Sequence, residues 1–116
     1  MSAPQPPRSA APPPRVPAPA GSFQRLIEDI YFERDADRGI PRTLLWFVEE
    51  VGELVRAIRR QERQNLEEEF GDVYAWLATL ASLHGIDLEA IGRQKYGLGC
   101  PRCRATPCAC PHPKLL

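Results

Sequence analysis

The stretch WFVEEVGELVRAI, Trp46 to Ile58, decides how this chain is read. Its apolar residues return every three or four positions, the period of a helix. Glu49, Glu50 and Glu53 nevertheless fall inside the same run. A carboxylate close to an apolar stripe costs free energy unless something compensates its charge. A second stretch, EEEFGDVYAW, Glu67 to Trp76, sets the same problem further along.

Placed on helices, the acids fall into register. At about 100° per residue, Glu50 and Glu53 lie about 60° apart, and Trp46 and Ala57 share their sector at the border of the apolar face. Glu69, Asp72 and Trp76 repeat this arrangement. When two helices pack antiparallel, residues whose numbers have equal sums share a level. Glu50 with Asp72, Glu53 with Glu69, and Trp46 with Trp76 all give the same sum. The spacing therefore predicts two facing carboxylate pairs, with both tryptophans level at one end.

Around this pair the rest of the fold can be read, and the class is all-α, a four-helix bundle. Ser22 is an N-cap for a first helix carrying Phe23, Leu26, Ile27, Ile30 and Tyr31, which ends near Gly39. Pro41 suits the first turn of the second helix, whose apolar face comprises Leu44, Phe47, Val48, Val51, Leu54, Val55 and Ile58. Asn65 and Glu68 form a capping-box pattern for the third helix, which runs through Val73, Leu77 and Leu80 to His84 and Gly85. A short fourth helix is predicted from Asp87 to about Tyr96. The connections are short, as in an antiparallel bundle.

Composition divides the chain into three parts. Residues 1–21 contain eight of the thirteen prolines and five alanines, the signature of a disordered, polyproline-like tail. Residues 22–97 form the helical domain. Residues 98–116 gather all four cysteines into a separate tail. Fifteen basic residues balance fifteen acidic ones, which argues against nucleic acid or a membrane surface as partner. No apolar run has the length of a membrane span or the form of a secretory signal, so a cytoplasmic location is expected.

Four converging carboxylates repel one another, and burial raises their pKa values unless a cation is present. Mg²⁺ takes oxygen ligands and leaves positions for water and phosphates, and Mn²⁺ accepts a similar set. Bundle di-iron sites add a Glu-x-x-His pair on two helices, and neither acidic pair here holds histidine. The plainer alternative is a solvated helix face with ion pairs to Arg56, Arg59 or Arg60.

EEVGEL followed by EEEFGDV resembles the two acidic motifs of the MazG-like, all-alpha nucleoside triphosphate pyrophosphohydrolases. PRTLLWFVEEVGEL through LASLHGIDLEAIGRQK is similar to their dCTP pyrophosphatase branch. The resemblance covers roughly Phe23 to Tyr96. It implies a helical homodimer or homotetramer that cleaves a nucleoside triphosphate between the α and β phosphates, giving monophosphate and pyrophosphate, with nucleotide-pool cleansing as the family-level purpose. By matching position it implies Glu50, Glu53, Glu69 and Asp72 as Mg²⁺ ligands and Lys95 as a phosphate contact. In that frame Glu49 is a candidate base or ligand to a second ion, and Trp46 and Trp76 are candidates to stack on the nucleobase. Core or interface packing is the other role open to the tryptophans. After Lys95 the chain lacks the basic and amide residues of many relatives, leaving Arg102, Arg104 or a neighbouring subunit to complete a phosphate clamp. Two other readings stay open: a phosphoribosyl-ATP pyrophosphohydrolase-like enzyme, and a non-enzymatic helical interaction module with a zinc-binding tail.

Cys100, Cys103, Cys108 and Cys110, with His112 close behind, suit a structural Zn²⁺. Their C-x2-C half is typical of zinc sites, whereas the C-x-C half and the short spacer are tighter than finger or ribbon patterns. Free or redox-active thiols are the alternative.

Overall fold

The computed structural model describes residues 16–111. Four helices, α1 (Phe23–Arg38), α2 (Ile40–Arg60), α3 (Arg63–Leu83) and α4 (Leu88–Tyr96), account for its regular structure, and no strand occurs among the described residues. The all-α reading holds. Most of the tail expected to be disordered, residues 1–15, lies outside the described residues, as does His112.

Two compact units divide between Ile86 and Asp87. In the first, α3 packs against both α2 and α1, while α1 and α2 touch each other little. The Ser22 hydroxyl caps α1 by accepting from the Arg25 N–H at 3.0 Å. Gly39 ends α1 and opens α2 at φ 83°, a left-handed value that glycine adopts without the steric cost of a Cβ. Pro41 then occupies the first turn of α2, where its missing N–H leaves no intrahelical bond unmade. Gln61 closes α2 at φ 56°, and a two-residue connection reverses the chain into α3.

The start of α3 differs from the capping-box expectation. The helix begins at Arg63 with Glu62 at the cap position and no side-chain cap bond. Asn65 already lies inside the first turn, where Arg63 and Glu67 pair at 3.0 Å. Its far end is as expected: Leu83 is the last helical residue, Gly85 turns at φ 68°, and the Ile86 N–H returns to the Ala81 carbonyl.

Two helices bury faces other than those the apolar pattern indicates. On α2 the buried residues are Thr43 and Ala57, with Phe47, Glu50 and Leu54 half-buried on the same side. Leu44, Val48, Val55 and Ile58 share the neighbouring sector within about 80° and stay exposed, Val48 by 60%. On α1 the inward side is largely polar, for Gln24, Glu28 and Asp35 are buried with Ile27, while Leu26 and Ile30 face outward.

Hydrogen bonding makes that polar interior tolerable. Glu28 accepts from the Ser82 hydroxyl at 2.6 Å and from the Ala18 N–H at 2.9 Å. Gln24 donates to Ser82 Oγ and to the Ile86 carbonyl. Ala18 is thereby buried, although it belongs to the stretch read as an unpacked tail. Buried polar groups persist when their partners are present, and an apolar-periodicity reading cannot supply partners from distant segments.

Candidate metal centre

Glu50, from the inward side of α2, meets Glu69 and Asp72 from α3, and ligand oxygens of all three lie within 4.8 Å of one another. A two-residue connection brings the helices back antiparallel, and the three-residue step from Glu69 to Asp72 keeps both acids on one side of α3. Burial, followed by the charges of Asp72, Glu69, Glu49 and Glu53, pushes the Glu50 carboxyl above the usual carboxylate range. Oε2 of Glu69 is buried and has no hydrogen-bond partner. A buried acceptor without a donor is costly, and a hard cation would satisfy it together with its two neighbours. The donor set is all oxygen, which fits Mg²⁺ or Mn²⁺.

The other acids stand apart from this trio. Glu53 is one turn along α2 and faces Arg56 at 3.4 Å in an exposed ion pair. Glu49 is exposed, near enough for its charge to act on Glu50.

Trp46 and Trp76 are level, as the equal sums require. Their rings are 11° from parallel with centroids 6.2 Å apart, inside the range of a direct offset stack. The two indoles partner each other, so no base is sandwiched between them in this arrangement. The Arg38 guanidinium lies over Trp76, 5.0 Å from its ring centre.

Beside the trio is a cavity of about 240 Å³ between α1 and α3, whose walls include Asp72, Trp76, Tyr31, Asp35, Arg38 and Thr79. Asp35 accepts from Arg38 at 2.9 Å and from the Thr79 hydroxyl at 3.1 Å. Arg38 also donates to Thr43 Oγ1 at 3.3 Å. Reading the sequence missed Asp35, Arg38 and Thr79. The ERDADR run at the end of α1 looks like a solvated charged terminus, and only its four-residue spacing from Tyr31 to Asp35 hints at an inward face.

Lys95 lies in the second unit on α4, exposed, with Nζ 5.5 Å from the Tyr96 ring centre. That unit also holds the cysteines. Their sulfurs converge within 4.8 Å, with Cys100 and Cys110 3.7 Å apart and Cys103 and Cys108 3.9 Å apart. Backbone N–H groups of Ala109 and Ala105 lower the Cys103 thiol to about 6, whereas the sulfurs of Cys108, Cys103 and Cys100 push Cys110 up to about 12.

Residues 39–95 match the family model of the MazG nucleotide pyrophosphohydrolase domain. Over that span, which contains α2, α3 and the acidic trio, the chain belongs to the MazG family. No curated protein matches the chain. No helix among the described residues is long and apolar enough to cross a membrane.

Proposed function

We propose, on the premise of that family membership, that the protein hydrolyses a nucleoside triphosphate to its monophosphate and pyrophosphate with Mg²⁺ as cofactor. The observation that carries this reading is the orphaned, buried Oε2 of Glu69 within reach of Glu50 and Asp72. An ion-pair network would have filled that position with a cation from the chain itself.

Glu50, Glu69 and Asp72 would hold the ion, with Glu53 as a fourth ligand once its carboxylate leaves Arg56. Mg²⁺ in such a site neutralises phosphate charge and makes water a better nucleophile. The chain supplies position: phosphoryl transfer depends mainly on alignment and charge neutralisation. Glu49 is the group to accept the proton of the attacking water. Arg38 brings a positive charge to the same cavity wall as Asp72. The cavity is smaller than the ~300–1,000 Å³ of sites for whole drug-sized ligands. Its size suits one flat ring system against Trp76, with the phosphates extending toward the acids. Lys95 is the further phosphate contact that the family resemblance implies.

The exposed Leu44, Val48, Val55 and Ile58 on α2 support a homodimer or homotetramer that covers them. Nucleotide-pool cleansing in the cytoplasm is the purpose in keeping with this chemistry.

A panel of ribo- and deoxynucleoside triphosphates, including dCTP, together with phosphoribosyl-ATP, tests the proposal when scored for pyrophosphate against orthophosphate. Mg²⁺-dependent pyrophosphate release that Glu69→Gln and Asp72→Asn abolish, without lowering the melting temperature, is the expected result. Variants that melt lower yet keep the parent's rate would reduce the acids to a structural network.

A further inference from the structure

The second unit poses a stability question independent of the acidic centre. Among its described residues none is buried, so residues 99–110 follow a defined path with no apolar core beneath them. Segments this small are usually held by a disulfide or a metal. All four cysteines are free thiols, and their closest sulfur separations, 3.7 and 3.9 Å, are far beyond the ~2.05 Å of a disulfide.

Those separations match a different bond set. Zinc–thiolate bonds of about 2.3 Å in a tetrahedron put neighbouring sulfurs about 3.8 Å apart. Two dithiol pairs would need only the two short separations, yet every sulfur here is within 4.8 Å of all the others. A four-iron cluster inserts a cubane among its thiolates and spreads them farther.

The backbone is shaped to aim the sulfurs. The Cys100 N–H donates to the Ala105 carbonyl at 3.0 Å, and the Arg104 N–H returns to the Cys100 carbonyl at 2.6 Å, closing a loop around Cys-Pro-Arg-Cys. Arg104, directly after the second cysteine, turns at φ 59°. Gly99 enters at φ 99°, and a Cβ there would lie 2.8 Å from Thr106 Oγ1 and 2.9 Å from the Ala105 carbonyl oxygen. Main-chain donors then point at sulfur: Ala109 N–H to Cys103 Sγ at 3.3 Å, and Cys110 N–H to Cys108 Sγ at 3.4 Å. Such outer contacts orient thiolate ligands and offset the charge of a tetrathiolate site.

From the convergence of four sulfurs at tetrahedral spacing in a coreless loop, we propose that Cys100, Cys103, Cys108 and Cys110 bind one Zn²⁺ in a closed structural site. With four protein ligands the ion keeps no open position, so it fixes the loop and takes no part in hydrolysis.

The test uses the full chain purified under reducing conditions without chelators. Elemental analysis should find one zinc per chain, and the four cysteines should resist alkylation until a chelator is added. After removal of zinc, titration with Co²⁺ should give the intense visible absorption of a tetrahedral thiolate complex. Cys103→Ser and Cys108→Ser should each lose the metal, while Glu69→Gln should keep it, which separates this site from the Mg²⁺ centre. A parent chain free of zinc, whose thiols alkylate equally with and without added Zn²⁺, overturns the proposal without recourse to any variant. Iron in place of zinc, or Cys100–Cys110 and Cys103–Cys108 disulfides in the reduced preparation, overturns it as well.

Discussion

The indole of Trp46 on α2 stacks on that of Trp76 on α3 with centroids 6.2 Å apart and planes 11° from parallel, and Arg38 lies over Trp76. Trp76 lines the cavity beside Asp72, whereas Trp46 is not among its walls and is 47% exposed. The two tryptophans therefore have different parts to play.

Base stacking is worth about 1–3 kcal/mol, so Trp76→Ala should weaken nucleotide affinity roughly 5- to 150-fold. Trp46→Ala removes an aromatic pair worth about 0.5–1.5 kcal/mol and should lower stability by that order with a smaller loss of affinity. Equilibrium binding of a non-hydrolysable triphosphate, beside urea unfolding, separates the two. Unchanged affinity in Trp76→Ala would take the base out of this cavity.

Glu50 gives a pH signature. Because its folded-state pKa is raised, the native protein binds this proton more tightly than the unfolded chain does. The resulting contribution to stability is complete below the ordinary carboxylate value of about 4.3 and is lost as pH rises through the raised folded value. In chelator at neutral pH, Glu50→Gln should melt above the parent, and the gap should close on acidification. A gap independent of pH would mean that charge at Glu50 is not its source.

Arg56 competes for Glu53. An exposed pair of this kind contributes about 0–1 kcal/mol, so Arg56→Ala should hardly change the melting temperature. If Glu53 is the fourth ligand, the same change frees its carboxylate and lowers the Mg²⁺ concentration for half-maximal pyrophosphate release. An unaltered half-saturation would put Glu53 outside the metal shell.

Glu28→Ala is expected to be among the more damaging substitutions away from the acidic centre. It leaves the Ser82 hydroxyl and the buried Ala18 N–H without their acceptor, and each unsatisfied buried group costs about 1–3 kcal/mol. Urea unfolding should register a loss of about 2 kcal/mol or more, and a loss below about 0.5 kcal/mol would show that water replaces the carboxylate.

Val48→Glu puts a charge into the exposed apolar sector of α2. Light scattering should give the parent a mass that is a multiple of the 13.0 kDa chain and the variant a smaller multiple. A parent that runs as an active monomer at micromolar concentration would remove the assembly.

The amino-acid pattern by itself determined the helices and their pairing. Periodicity and punctuation by Ser22, Gly39, Pro41, Gly85 and Asp87 are local properties, which is why α1, α2 and α4 start as expected and α3 ends as expected. Only at Asn65 did two residues of sequence mislead, because an N-cap residue and a residue in the first turn look alike when Arg63–Glu67 pairing extends the helix backward. The equal sums even carried the tryptophan stack, since antiparallel register follows from numbering alone. Tertiary structure decided the rest. It selected Glu50, Glu69 and Asp72 from the five acids and turned Glu53 to Arg56, a choice made by side-chain direction and burial. It also buried Gln24, Glu28 and Asp35 in place of Leu26 and Ile30, because their hydrogen-bond partners at Ala18, Ser82, Ile86 and Thr79 come from other segments of the chain. Partners brought together only by folding have no signature in the spacing of a single helix.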